Sequence, residues 1–317
     1  MIAVVIPSYR VRAKILGVLA GIGPEVDVIF VVDDACPERS GQLVTEQVSD
    51  PRVRVITLPE NQGVGGAVCS GYQAAIDAGA SIVVKLDGDG QMDPALIPAL
   101  IHPIVKGEAD YSKGNRFHAL GDLGPMPKVR LFGNAALSFL TKLSSGYWQS
   151  FDPTNGFTAI HRTALKRLPL TRIARRYFFE SDMLYHLNQI RAVVCDFPMR
   201  AIYADEQSSL RPLQVVLPFF VNHVRNLGRR VVYSYFVRGF SLASVELLLG
   251  LFLSSFGLAF GTYSWWQSIA SNQLASAGTV MLSALPIILG TQLLLSWLNF
   301  DVAAEPRVAL NRLFGES

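Results

Sequence analysis

The chain has 317 residues, 28 Lys plus Arg against 25 Asp plus Glu, and a formal net charge of +3. That balance, with no basic run, excludes a nucleic-acid footprint, and a hydrophobic content of 50% excludes a disordered chain. Three cysteines (Cys36, Cys69, Cys195) without a CxxC spacing exclude a disulfide framework and a structural zinc site. Charged residues make up only 17% of the chain, below the quarter or so usual for soluble domains, and the length suits about two domains. The run Met1-Ile-Ala-Val-Val-Ile6 is too short for a secretory signal, so none is expected.

Residues 1 to about 110 alternate short β-branched runs with helical patterns. Ile2–Ile6, Val28–Val32, Val53–Leu58 and Ile82–Leu86 read as strands, and Ala67–Ala78 as a helix between two of them. Strands separated by helices imply an α/β fold with a mainly parallel sheet covered on both faces. Ligands of such sheets bind beyond the carboxyl ends of the strands. Pro7-Ser8-Tyr9, Asp33-Asp34 and Asp87-Gly88-Asp89 lie at those ends.

Further on, Lys128–Thr141 and Phe178–Leu187 read as helices, and Ala192–Phe197 and Met199–Tyr203 as late strands around Pro198. The mixed apolar and basic stretch from Leu213 to Arg230 suits a helix lying on a membrane surface; a core helix broken at Pro218 is the other reading.

From Leu247 through Phe300 there is no Asp, Glu, Lys or Arg. Phe240–Trp266, with Glu246 as its one acid, and Ala277–Phe300 are each long enough, at roughly 20 residues or more, to cross a bilayer. Glu246 can pair with Arg238 or meet a lipid headgroup. Arg225, Arg229, Arg230 and Arg238 precede the first span and Arg307 and Arg312 follow the second, whereas Gln267–Ser276 between them is uncharged. The positive-inside rule then places both termini and the N-terminal domain in the cytoplasm. The expected organisation is a catalytic domain over 1–211, juxtamembrane helices over 212–238, a two-span hairpin over 239–302 and a tail over 303–317. Such a hairpin contacts membrane lipids and is compatible with a homo-oligomer.

The sharpest local signal is Lys85-Leu-Asp87-Gly-Asp89-Gly-Gln91 at the end of an apolar strand. Two carboxylates at this spacing suit Mg²⁺ or Mn²⁺, with Gln91 able to add an oxygen. Of Asp33 and Asp34, one can accept from a nucleobase and the other can cap the following helix. Asn61-Gln-Gly63 leads a glycine-rich turn into a helix start, where free N–H groups favour an anion. Asp152 in Asp152-Pro-Thr-Asn155-Gly156 is either a turn cap or a sugar contact. Glu180 and Asp182 suit donor-sugar or arginine contacts, or a solvated helix face. Lys85 is read as flanking its strand, and His161, His186 and His223 as structural.

Ile6-Pro-Ser-Tyr9, Val32-Asp-Asp34, Asn61-Gln-Gly63 with Gly71-Tyr72, Leu86-Asp-Gly-Asp-Gly-Gln91, Asp152-Pro-Thr-Asn-Gly156 and the paired C-terminal spans together resemble glycosyltransferase family 2. Within it the chain looks like the polyprenyl-phosphate glycosyltransferases, which include dolichol-phosphate mannose synthase and undecaprenyl-phosphate glucosyltransferases. The resemblance implies a GT-A fold and inverting transfer of a hexose from a nucleotide-diphosphate sugar of the UDP-glucose or GDP-mannose type to polyprenyl (undecaprenyl) phosphate. It implies a bacterial inner-membrane enzyme with Mg²⁺ or Mn²⁺ at Asp87, Asp89 and Gln91. Pro7, Tyr9, Asp33, Asp34, Asn61, Gly63 and Arg116 then match donor positions. Arg130, Arg200 and Ser209 match the acceptor-phosphate site, with Ser208 and Arg211 along its path. Tyr9 is followed by Arg10-Val11 where the family often has Asn-Glu, and Glu60 stands where an arginine is common.

A lipid phosphate is already anionic at neutral pH and needs positioning by arginines more than a base. A hydroxyl acceptor, such as diacylglycerol or a lipid-linked saccharide, would instead require a carboxylate base such as Asp152 or Asp182.

Overall fold

The computed structural model describes residues 1–117, 128–199 and 212–315, with the backbone alone at 128–132, 134 and 212–215. The chain divides into two units, Met1–Leu227 with Pro306–Ser317, and Gly228–Glu305.

The first unit is α/β. Its strands are β1 (Ile2–Ser8), β2 (Val28–Asp33), β3 (Val53–Thr57), β4 (Ile82–Lys85), β5 (Tyr111–Asn115), β6 (Thr158–His161) and β7 (Val194–Pro198). They form one sheet in the order β3-β2-β1-β4-β6-β5-β7, parallel except for β6, which runs antiparallel to both neighbours. Helices α1 (Ile15–Ala20), α2 (Ser40–Gln47), α3 (Val64–Asp77) and α4 (Ile97–Val105) connect the first strands. After β5 come α5 (Lys128–Ser145), α6 (Arg162–Leu165), α7 (Phe179–Gln189) and α8 (Pro212–Val232), which runs on into the second unit.

The two-residue period of the strands explains the layering. Ala3 and Val5 of β1 join Val83, Tyr72 and Phe179 in one core, under α3 and α7. Val4 and Ile6 join Val84, Ile15, Leu43 and Leu100 in the other, under α1, α2 and α4. A Cβ at Gly71 would stand 2.2 Å from Val5 Cγ1, so only glycine lets α3 lie this close to β1.

The parallel strands lie within two residues of where the alternation predicts them. β5 and β6 carry no such signal, because Tyr111-Ser-Lys-Gly-Asn115 and Thr158-Ala-Ile-His161 are not apolar runs although both strands are buried. β7 realises the first of the two late strands, while the second falls largely outside the described residues, as do Arg200, Ser208, Ser209 and Arg211. Pro218 sits inside α8 without ending it, so the broken-helix reading is not realised.

In the second unit, α9 (Leu242–Ser271) and α10 (Ala277–Ala303) are long and apolar enough to cross a membrane. They pack through small residues. A Cβ at Gly257 would be 2.7 Å from Ile287 Cγ1, and one at Gly290 2.4 Å from Ser254 Oγ, so the backbones touch where side chains are missing. A π-helical turn, Tyr233–Val237, precedes α9. Arg230 pairs with Asp301 at 2.6 Å, Tyr235 donates to the same carboxylate at 2.6 Å, and Ser244 Oγ donates to the Tyr235 carbonyl at 2.6 Å. Glu246 accepts from Ser296 Oγ at 2.9 Å, and Arg238 lies over the Tyr233 ring.

After α10 the chain returns to the first unit. Asp110, fully buried at the head of β5, accepts from the backbone N–H groups of Val193 (2.9 Å), Leu310 (2.9 Å) and Asn311 (3.1 Å), the last two in α11 (Leu310–Leu313). Asn311 Nδ2 donates to the Ile104 carbonyl, and Arg167 lies over the Phe314 ring at 4.0 Å. Asp110→Ala strips three buried N–H groups of their acceptor and is expected to cost about 3 kcal/mol. A lower thermal midpoint together with faster tryptic cleavage at Arg312 is the measurement; an unchanged midpoint would refute the anchoring.

Candidate active site

Register gathers the polar strand ends. Ser8 pairs with Asp33 and Val5 with Lys85, so the residues following β1, β2 and β4 emerge side by side at one edge of the sheet. Pro7 and Tyr9 are at this edge, Tyr9 being 40% exposed with the Arg10 guanidinium 5.4 Å from its ring centroid.

Asp33 and Asp34 are buried and both bind backbone. Asp33 accepts from Cys36 N and Gly41 N at 2.7 Å each, which fixes the turn into α2 and realises the helix-capping role. Asp34 accepts from Gln62 N at 2.7 Å and Gly63 N at 2.8 Å, and its carbonyl accepts from Asn61 Nδ2 at 3.2 Å. Asp34, Asn61 and Gly63 thus form one interlocked corner. Gly63 has φ +82°, and a Cβ there would be 2.6 Å from the Arg175 carbonyl.

Asp87 and Asp89 follow β4 and are partly buried. Asp89 Oδ1 accepts from Gln91 N at 3.0 Å, closing the turn. Asp87 Oδ1 faces the Lys85 ammonium at 2.9 Å, and beyond that ion pair no described donor reaches this buried oxygen. Lys85 also meets Glu180 Oε1 at 3.1 Å, and only 1% of its side chain is exposed. Burial works against its charge, but Asp87 and Glu180 together hold its pKa above the ordinary lysine value. Burial pushes the Glu180 carboxyl up and Asp87 adds to that, with Lys85 opposing. Among the described residues no three His, Cys, Asp or Glu side chains form a ready-made ligand set.

Asp152 holds Arg116. The guanidinium donates to both carboxylate oxygens at 2.7 Å, and Arg116 N adds a third bond at 3.1 Å. Asp152 is 1% exposed and has φ +51°, which is uncommon for a side-chain-bearing residue and marks a tight turn here. Burial raises its pKa, but the Arg116 hydrogen bonds and charge, with Lys113, prevail and hold it below the usual carboxylate value. Buried Lys113 donates to the Phe151 carbonyl and pairs with Asp196 at 3.2 Å; burial lowers its pKa despite Asp196 and Asp152. Asp196 also accepts from Asn115 Nδ2, Ser150 Oγ and Phe151 N. The adjoining recess between Phe117, Leu137, Phe151 and Thr154 is about 50 Å³, too small for a nucleotide.

Asp182 is buried and accepts from Ala174 N at 2.8 Å and Asn226 Nδ2 at 2.7 Å, so α7 turns Glu180 toward Lys85 and Asp182 toward α8. That replaces the solvated-face reading for both acids. His223, also on α8, accepts or donates at Nδ1 with Ser144 Oγ at 2.8 Å, and burial pushes its pKa down to about 4, which fits a structural role. Arg130 lies on α5, with its side chain outside the described residues.

Sequence reasoning missed Lys85, Lys113, Asp110 and Asp196. The available signal was a charged residue inside or beside an apolar strand, as in Ile82-Val-Val-Lys85, where burial demands a partner.

A largely parallel sheet with carboxylates collected beyond β1, β2 and β4 is the arrangement expected of a GT-A fold. Residues 3–169 match Glycosyl transferase family 2. The UDP-N-acetylglucosamine–dolichyl-phosphate N-acetylglucosaminyltransferase of Methanococcus voltae is 30% identical over 233 residues, spanning 69% of this chain and 92% of that protein. The undecaprenyl-phosphate mannosyltransferase of Micrococcus luteus is 28% identical over 200 residues, spanning 62% and 81%. Glucosyl-3-phosphoglycerate synthase from Mycobacterium tuberculosis, solved with Mn²⁺ and UDP-glucose, shares the fold with a TM-score of 0.54 at 21% identity, over 73% of this chain and 78% of that one. The chain belongs to glycosyl transferase family 2, and it is an enzyme of that glycosyltransferase class.

Asp152→Asn is expected to lower stability by about 2 kcal/mol at neutral pH, through loss of charged hydrogen bonds. The folded carboxyl has the lower pKa, so the pair's contribution is complete above the unfolded value of about 3.9 and fades as pH falls through the folded value. Denaturant midpoints of wild type and variant should therefore differ by a constant amount from pH 8 to pH 5 and converge in stronger acid. A gap that persists in acid would exclude ionised Asp152 as its source.

Proposed function

We propose that the protein transfers a hexose, with inversion, from a nucleotide-diphosphate sugar of the UDP-glucose or GDP-mannose type to a polyprenyl phosphate at a membrane surface. The carrying observation is the state of the acids. Asp152 is bonded to Arg116, Asp182 to Ala174 N and Asn226, and Glu180 to Lys85. Each described carboxylate considered as a base is thus already engaged, which disfavours a hydroxyl acceptor needing deprotonation. A phosphate monoester arrives as an anion and needs only to be held and desolvated. The M. voltae and M. luteus relatives, named for transfer to dolichyl and undecaprenyl phosphate, support the same acceptor class.

The residues fit a divalent metal. Asp87 and Asp89 offer hard oxygens two positions apart, and Asp87 Oδ1 is a buried oxygen facing only an ammonium. A bound Mg²⁺ or Mn²⁺ supplies charge neutralisation for the departing diphosphate. Tyr9 and the corner built by Asp34, Asn61 and Gly63 lie along the donor edge, with Asp33 supporting it. Arg130, Arg200 and Ser209 are assigned to the acceptor phosphate, which arginine grips through paired hydrogen bonds.

The assignment to a membrane rests on α8, α9 and α10. Val216, Leu217, Phe220, Val221 and Val224 of α8 are exposed on one side, while His223 and Asn226 are buried on the other. This suits a helix lying in the headgroup region. Both ends of the apolar hairpin join the catalytic unit, which requires an even number of crossings. Arg225, Arg229, Arg238, Arg307 and Arg312 flank it, which by the positive-inside rule supports a cytoplasmic catalytic unit with both termini on that side.

Purified protein incubated with undecaprenyl phosphate, Mn²⁺ and a panel of labelled nucleotide sugars should yield a labelled lipid with at least one donor. No lipid product across the panel would refute the reading. Asp87→Asn and Asp89→Asn should each lower transfer on the order of a hundredfold, and EDTA should abolish it reversibly. Arg130→Ala should raise the acceptor KM with little change in donor binding. In intact cells, Asn272→Cys should react with an impermeant maleimide while Glu46→Cys, at an exposed position of the catalytic unit, does not; the reverse pattern would invert the topology.

A further inference from the structure

We infer that Lys85 and Glu180 are positioning residues for Asp87, an internal ion pair that holds this carboxylate ready for the divalent cation. The inference rests on the metal role proposed for Asp87 and extends it to two residues that do not touch the metal.

Lys85 pairs with Val5 and Thr158 in the sheet and lies on the same face as Val83, in the core under α3 and α7. Full burial of an ammonium there costs several kcal/mol unless it is compensated. Compensation comes from Asp87 at 2.9 Å and from Glu180 at 3.1 Å, the latter on α7 and distant in sequence. Glu180 is itself held in place, since Asp182 in the same helical turn ties α7 to Ala174 N and Asn226.

Asp87 keeps 26% of its side chain exposed and is packed on one side by the backbone. A Cβ at Gly156 would stand 2.4 Å from Asp87 Oδ2 and 2.3 Å from Lys85 Nζ, so the backbone after Asp152 closes over the ion pair. The Asp87 N–H points to Met92 Sδ at 3.5 Å. The side chain is therefore fixed by the protein before any cation arrives.

Charge balance explains why two acids surround one lysine. Lys85 with Asp87 alone would form a neutral pair and weaken the pull of the site on a cation. Glu180 supplies a second negative charge, so Lys85 can hold Asp87 without cancelling it. Carboxylates that ligate metals depend on such outer partners, and losing one typically lowers metal affinity about 10–100-fold.

The test is Mn²⁺ binding to the full-length protein in detergent, read from the EPR signal of free Mn²⁺, with no turnover involved. Lys85→Met should weaken binding about 10–100-fold and Glu180→Gln on the order of tenfold. Gly156→Ala should weaken binding as well, by pushing the pair apart. Unchanged or tighter binding in Lys85→Met overturns the inference, since a lysine that merely competes with the cation would give tighter binding. If Lys85→Met does not fold, Glu180→Gln decides, and wild-type affinity in that variant overturns the inference. Wild-type protein that binds no Mn²⁺ would overturn the metal reading itself, a result distinct from a wild type that binds and variants that match it.

Discussion

The sheet is buried on both faces, and this constraint shapes the rest of the catalytic unit. β1, β2 and β4 are sealed between two apolar cores, so their sides have no room for water or ligand. Polar chemistry is confined to the edge where these strands end. Three parallel strands in register deliver Pro7 to Tyr9, Asp33 with Asp34, and Asp87 with Asp89 to that edge together. One sequence feature, apolar runs that each stop at a polar pair, therefore sets both the layering and the location of the site.

Carboxylates are the main building material at this edge, and most of them bind the protein itself. Asp33 and Asp34 each take two backbone N–H groups, Asp152 takes an arginine, and Asp196 takes a lysine, an amide, a hydroxyl and a backbone N–H. Loops near ligands cannot rely on helix or strand hydrogen bonds, so buried side-chain acceptors satisfy their N–H groups instead. Asp87 differs in having no backbone donor on its buried oxygen, which faces the Lys85 ammonium alone among the described residues.

Much of this was legible in the sequence, and the limits have physical causes. Short β-branched apolar runs revealed β1, β2, β3 and β4, and the charge-free run revealed α9 and α10. β5 and β6 were not legible because Tyr111-Ser-Lys-Gly-Asn115 and Thr158-Ala-Ile-His161 carry polar residues and glycine where such a run would be apolar. The Asp87-Gly-Asp89 turn was legible because its spacing is local. The Lys85–Glu180 contact was not, because it joins a strand to a helix far along the chain and each residue alone looks ordinary. Asp152 was read as a turn cap, a sugar contact or a base; its partner Arg116 becomes visible once β5 and β6 are placed side by side.

The acids of the hairpin unit follow the same rule as those of the catalytic unit. Asp301 near the end of α10 is buried, and it is neutralised by Arg230 and capped by the Tyr235 hydroxyl. A charge at the end of an otherwise apolar helix is tolerable only when paired. The pairing also changes how the flanking arginines should be weighed. Arg230 is compensated and drops out of the orientation argument, leaving Arg225, Arg229 and Arg238 before the first span and Arg307 and Arg312 after the second. All five lie at the ends that join the catalytic unit and none lies in the loop between α9 and α10, so the charge asymmetry survives the subtraction.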